Sequence, residues 1–299
     1  MRGLLLAAAL LAAVSPPSPS GAPSGLTVTM SPPAPRQGGI VAITVASERP
    51  LHALVLVDAD ARVPLERAEG GTVFRGLLGL DLAAATGVRD LRFEAEGGDA
   101  PAAFSMNVKA GRFRVQKLSV DPRFVEVPEE EKERVKADQA RVAEAYRRGS
   151  SARLSTSFAR PVANAAASNG NFGARRVYNG KTKSFHAGLD LGAKEGTPVQ
   201  AAGDGRVVLA GDLYFSGGSV LLDHGAGLFT QYFHLSRIDV KEGDFVAKGT
   251  RLGAAGHTGR VTGPHLHWGA KLHGARVNPE DLLALPAWPS PAERDTPLN

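Results

Sequence analysis

The chain has 299 residues, 43% hydrophobic and 22% charged, which suits about two domains with real cores and excludes disorder throughout. A formal net charge of +5 fits any anionic polymer, but there is no long basic block and only 6% of residues are aromatic; this counts against a nucleic-acid platform built on base stacking. With 0 cysteines, disulfides, cysteine-ligated metals and cysteine nucleophiles are excluded.

Residues 1–24 read as a secretory signal peptide and a Pro/Ser-rich segment. Arg2 supplies the positive charge, and the apolar run from Leu4 to Val14 is too short for a spanning helix, which needs about 20 residues. The mature chain is therefore expected to carry no membrane span. It is expected to be exported to the periplasm or cell envelope, or secreted.

Residues 25–118 alternate in short runs such as Leu26 to Met30, Ile40 to Val45, Ala53 to Val57 and Phe104 to Val108. Breaks rich in Gly, Pro and Asp separate them. About six or seven strands in this span predict an Ig-like β-sandwich. His52 is its one histidine and reads as a strand or turn residue, so the module is expected to be accessory. Residues 119–150 form a linker with a helix. Pro128 stands at its start, acidic residues follow in the first turn, and Arg147 and Arg148 lie near its end before Gly149. Val135, Val142 and Tyr146 give it a thin apolar stripe to rest on a neighbouring domain.

Residues 151–285 are rich in glycine and β-branched residues and hold the remaining histidines. Two stretches here are alike, Gly196 to Leu209 and Val240 to Gly253, in the style of barrel-sandwich hairpins. A lipoyl or biotinyl carrier of that shape needs a lysine at an exposed hairpin tip, and neither Lys241 nor Lys248 has that context. Residues 286–299 form a Pro-rich tail.

Three segments of this block carry chemistry. In His265-Leu266-His267, residues i and i+2 of a strand share one face about 7 Å apart; such a pair serves a site or is merely structural. His186-Ala187-Gly188-Leu189-Asp190 joins an imidazole to a carboxylate, with Gly188 permitting a bend between them. Nitrogen and oxygen donors without sulfur suit zinc. His234 lies among apolar neighbours in Tyr232-Phe233-His234-Leu235, where a structural hydrogen bond is the alternative to catalysis. His224 and His273 read as turn residues, and His257 as part of a Gly-rich loop near the site.

Together these segments resemble the lysostaphin and LytM type of zinc metalloendopeptidase, a peptidoglycan hydrolase. The resemblance runs over about residues 168 to 282 and includes the lead-in from Phe172 to Gly180 and the run from Gly259 to His267. It implies a C-terminal antiparallel β barrel-sandwich with a duplicated hybrid motif, in a mainly β protein. It assigns His186, Asp190 and His267 as ligands of one Zn2+ per chain, and His234 and His265 as the catalytic pair. The implied substrates are peptidoglycan stem peptides or crossbridges, with a regulatory protein as a further partner. Where the family often has an acidic residue after the last histidine, this chain reads Trp268-Gly269-Ala270. The alternative reading is a non-catalytic wall-binding regulator of the same fold. Such proteins have typically lost metal ligands, whereas this chain keeps all three and both auxiliary histidines.

Overall fold

The computed structural model describes residues 25–286 except 60, 97–101, 164, 166–171 and 181. The signal-peptide reading and the tail beyond residue 286 lie outside the described residues. The first strands are β1 (Leu26–Ser31), β2 (Ile40–Ser47), β3 (Leu54–Asp58), β4 (Ala61–Pro64), β5 (Glu66–Ala68), β6 (Val73–Gly79), β7 (Gly87–Ala95) and β8 (Ala102–Val108). They form two antiparallel sheets, β1-β2-β6-β5 and β4-β3-β7-β8. Period-2 alternation explains the packing: Val41, Ile43 and Val45 on β2 point inward with Leu54, Leu56, Phe74, Leu91 and Phe93 to make one core. Two packed antiparallel sheets thus occupy this span, with more strands than the sequence runs mark out. His52 is exposed and lies outside the strands.

The sequence span 25–118 places strand β9 (Val115–Leu118) in the sandwich, but β9 pairs elsewhere. It runs parallel to β10 (Arg175–Tyr178), which pairs with β11 (Thr182–Phe185). Between β9 and β10, a short 3-10 turn at Glu129–Glu131 leads into helix α1 (Lys132–Arg147). Of the thin stripe Val135, Val142 and Tyr146, the last two settle on the neighbouring sheet. Ala145, Val142 and Tyr146 pack against Val208, Leu209, Leu213, Leu221 and Phe229, and the Tyr146 and Phe229 rings meet edge to face at 5.1 Å.

The remaining strands are β12 (Gly188–Gly192), β13 (Pro198–Gln200), β14 (Gly205–Leu213), β15 (Gly217–Asp223), β16 (Leu228–Ile238), β17 (Phe245–Val246), β18 (Arg251–Ala255), β19 (His265–Leu272) and β20 (Ala275–Val277). They make one antiparallel sheet in the order β12-β19-β16-β15-β14-β17, with β18 bridging β13 and β16 and β20 pairing β19. The two similar stretches pair with each other: β13 with β18, and β14 with β17. Under this sheet lies a core of Leu189, Leu191, Val220, Leu222, Tyr232, Leu266 and Trp268, which Ile40 and Leu77 of the sandwich join. The sandwich and the barrel thus share apolar contacts rather than hanging from a free linker. Polar ties reinforce the seam. Arg276 forks onto both oxygens of Asp81 at 2.6 and 2.9 Å, Arg153 binds Glu66 at 2.7 Å, and the Ile40 amide donates to Asp281 at 3.1 Å. Among the described residues, no helix is long and apolar enough to cross a membrane.

Candidate active site

Antiparallel pairing sets Asp190 of β12 directly opposite His267 of β19. Opposed residues of an antiparallel pair project to the same face with their Cβ atoms about 5 Å apart. His186 reaches that face from the turn ahead of β12, held by its amide on the Ala174 carbonyl at 2.8 Å and by its own carbonyl on the Gly173 amide at 2.8 Å. Three ligand atoms converge as a result. His186 Nε2 lies 2.9 Å from His267 Nδ1 and 2.9 Å from Asp190 Oδ1, and His267 Nδ1 lies 3.1 Å from the same oxygen.

Nitrogen and oxygen donors gathered this closely can share one small cation. Tetrahedral ligands at the ~2.0–2.1 Å bonds usual for zinc stand about 3.3 Å apart. The observed triangle is within a few tenths of an ångström of that spacing, so the donor set fits a small divalent metal. Burial opposes ionisation of Asp190, but hydrogen bonds with His186, His265 and His267 prevail and hold its carboxyl far below the usual carboxylate range. Burial pushes the His186 imidazole down to about 4, helped by the neighbouring His267. A neutral imidazole beside an ionised carboxylate is the protonation pattern that metal binding requires.

Three features brace these ligands. Arg176 on β10 donates to Asp190 Oδ2 at 2.5 Å, which leaves Oδ1 for the cluster, and its Nε donates to Gln116 Oε1 on β9 at 3.1 Å. The Phe233 ring stacks on His267 at 5.5 Å with an interplanar angle of 5°. Gly188 gives His267 room: a Cβ there would stand 2.6 Å from His267 Nε2. Gly188 therefore serves close approach rather than the bend expected from its place between His186 and Asp190, and its φ is not positive.

The other two histidines face the same space. His265 lies two residues before His267 on β19, with Nε2 3.4 Å from Asp190 Oδ1 and Nδ1 2.8 Å from the Gly263 carbonyl. His234 Nδ1 lies 2.8 Å from the Thr258 carbonyl. A carbonyl only accepts, so each Nδ1 carries a proton; a neutral His234 then keeps its lone pair on Nε2, whereas His265 Nε2 faces Asp190. The His234 and His265 rings stand 5.0 Å apart. Burial pushes His234 down to about 3, with His267 and His265 adding to the effect. Burial also lowers His265, but its hydrogen bond to Asp190 and the charge of that carboxylate turn the net shift upward.

His234 reaches the site through its backbone. Its φ is +65°, a left-handed conformation inside β16, and the β15–β16 and β16–β18 registers both shift beside it. Regular alternation would put Phe233 and His234 on opposite faces. With the flip, Phe233 stacks on His267 and His234 also comes within 6.0 Å of that ring.

All five residues singled out in the sequence thus come together. The remaining histidines do not join them. His257 is exposed and pairs with Glu195 at 3.0 Å. His273 is a turn residue at φ +47°. His224 departs from its turn reading: its ring is buried, with Nδ1 2.7 Å from the Asp204 carbonyl and Nε2 2.7 Å from Thr230 Oγ1. Sequence reasoning missed Arg176, Gln116 and Phe233. The one available signal was that Arg176 lies inside the lead-in from Phe172 to Gly180.

Residues 184–279 match the model of peptidase family M23. A crystal structure from Pseudomonas aeruginosa, described as a candidate M23 peptidase, is 30% identical with a TM-score of 0.63, covering 84% of this chain and 95% of that one. The peptidoglycan DD-endopeptidase ShyA of Vibrio cholerae is 44% identical over 109 residues, which are 36% of this chain and 25% of ShyA. The DD-carboxypeptidase/endopeptidase Mpg of Neisseria meningitidis is 43% identical over 105 residues, 35% of this chain and 24% of Mpg. These matches span about a quarter of the curated relatives' length. Family model, a structural likeness over most of the chain and the clustered His186, Asp190 and His267 agree, and the chain belongs to the M23 peptidase family.

Proposed function

We propose that this chain is an exported zinc endopeptidase that hydrolyses peptide crosslinks of bacterial peptidoglycan. The carrying observation is the convergence of three ligand atoms with two further imidazoles that face the same space. His186, Asp190 and His267 hold the metal. Bound zinc supplies Lewis acidity, polarising a carbonyl and bringing the pKa of water toward ~7.

The chain's own residues handle the proton. His265 Nε2 accepts it from the attacking water, and the Asp190 carboxylate 3.4 Å away stabilises the imidazolium that forms. The same nitrogen then delivers the proton to the leaving amine. His234, with Nδ1 committed to Thr258, accepts from the water and orients it. That tautomer gives His234 no Nε2–H with which to donate to an oxyanion. The names of ShyA and Mpg support a DD-linked peptide substrate. The intact ligand set favours an enzyme over a wall-binding regulator.

The test is metal analysis of the purified chain followed by digestion of cell-wall sacculi. Replacement of His186, Asp190 or His267 by Ala is expected to strip the metal from a folded protein. His265→Ala and His234→Ala are expected to keep it and lose about 10²–10⁴-fold in rate. Zinc loss with His265→Ala but not with His267→Ala would reverse the assignment of those two residues, and an inert, fully metallated wild type would reject the function.

A further inference from the structure

Arg176 and Tyr178 are alternate residues of β10 and share one face of it. Arg176 turns toward Asp190. Above Tyr178 lies Arg260, its guanidinium carbon 4.6 Å from the Tyr178 ring centre and 4.9 Å from that of Phe215. The main chain is equally constrained. The Arg260 amide donates to the Phe215 carbonyl at 2.8 Å. Gly259, at φ +73°, sits so close to the turn that a Cβ would come within 2.4 Å of the Gly217 amide nitrogen.

Arg260 is partly buried, and both burial and the charge of Arg176 lower its pKa. Arg176, bonded to Asp190, and Arg260, over Tyr178, thus lie along the same face of β10. Asp190 answers the charge of Arg176. The rings hold Arg260 by cation–π attraction to its face. A guanidinium also has five N–H donors in its plane, arranged to match a carboxylate. Its position follows from the loop: Thr258, two residues earlier, holds His234 through its carbonyl. The loop that orients one catalytic histidine thus also carries a braced cation at the edge of the site.

We infer that Arg260, braced by Tyr178 and Phe215, is a substrate-specificity residue that binds a peptide carboxylate near the scissile bond. The inference rests on the peptidase reading above and adds the chemical feature recognised. Two sources offer that chemistry, a chain-terminal carboxylate and a side-chain carboxylate of the stem peptide.

The test uses the metal-loaded full chain and an uncrosslinked stem peptide in three forms: free, amidated at its C-terminus, and amidated at its side-chain carboxyl. Binding is measured by calorimetry, and mass spectrometry checks that the peptide stays intact. Wild type is expected to lose at least about 10-fold in affinity for one amidated form, the lower end for a hydrogen bond to a charged group; that form identifies the source. Arg260→Gln is expected to bind all three forms alike, and Arg260→Lys to discriminate weakly. Arg260→Gln that keeps the preference, or wild type that binds the three within twofold or binds none, would overturn the inference. Wild type that discriminates in binding yet cuts no crosslinked peptide would reject the peptidase reading and leave the subsite standing.

Discussion

Adding one methyl group at Gly188 is expected to disable the metal site while leaving the fold intact. A Cβ at Gly188 would stand 2.6 Å from His267 Nε2, 2.8 Å from His267 Cε1 and 2.7 Å from the Trp268 carbonyl oxygen. Ordinary contact begins near 3.4 Å, so the imidazole must retreat by 0.8 Å, the difference between 3.4 and 2.6. The Trp268 carbonyl belongs to β19, where it pairs with β12, so its contact is relieved only by a small spreading of the two strands, and the ring gives way as well. Stacked Phe233 limits that retreat. Metal–ligand distances tolerate about 0.2 Å, well under the shift required.

Losing one ligand then sets the magnitude. Apparent binding free energies of ~10–16 kcal/mol for four-ligand zinc sites give about 3 kcal/mol per ligand, or on the order of 100-fold in affinity. The cost to stability is that of a modest overpacking, about 1–3 kcal/mol. Gly192→Ala is the control, since it lies on the same strand with nothing within 4 Å of its Cβ position. Zinc affinity is read by chelator competition and folding by circular dichroism. Gly188→Ala that binds zinc as tightly as Gly192→Ala would refute the reasoning and show that the His267 ring is not confined where the argument needs it.

Arg176→Lys keeps the charge but cannot reach Asp190 Oδ2 and Gln116 Oε1 together; chelator competition is expected to show about 10-fold weaker metal binding, the low end for groups that hold ligands in place. Asp81, pulled from 3.8 to about 2 by Arg276 and two backbone amides despite its burial, has a depressed folded pKa. It therefore adds stability above its unfolded pKa and loses it as pH falls from about 4 toward about 2. The gap between wild type and Asp81→Asn in urea unfolding is expected to be widest near neutral pH and to close over that range. Removing residues 1–149 takes away β9 with Gln116 and helix α1 with its packing on Phe229, as well as Ile40 and Leu77 from the shared core. The remaining fragment is expected to melt lower than one that begins just before β9, which keeps β9 and α1, and an equal Tm would show that these two elements contribute nothing.

Much of this site was legible because strand geometry turns spacing into position. His265 and His267 share a face by period 2 alone, and Asp190 falls opposite His267 once β12 and β19 pair. The α1 stripe was legible for the same reason, with Val142 and Tyr146 one helical turn apart. What stayed hidden depends on partners remote in the chain. Arg176 gains its role from Gln116, 60 residues earlier. Asp223-His224-Gly225 has the composition of a turn, yet the His224 ring is buried because the Asp204 carbonyl and the Thr230 hydroxyl bring hydrogen-bond partners to both its nitrogens. The same kind of distant pairing moved β9 from the sandwich, its neighbour in sequence, to β10.

The left-handed backbone of His234 belongs to this hidden class and explains how the site holds five side chains. A non-glycine residue at φ +65° costs of order 1–3 kcal/mol and persists only where its surroundings over-determine it. Here the His234 amide donates to the Ser216 carbonyl at 2.9 Å, and its ring is fixed on Thr258. Thr258 is itself pinned, its Oγ1 accepting from the Gly218 amide and donating to the Leu235 carbonyl, both at 2.9 Å. The Ser216–Gly218 turn and the Thr258 loop therefore clamp His234 from two sides. A regular β16 would force a choice between Phe233 bracing a metal ligand and His234 meeting the substrate's water. The flip removes that choice, so the strain at one residue lets a single strand both brace the metal site and furnish a catalytic histidine.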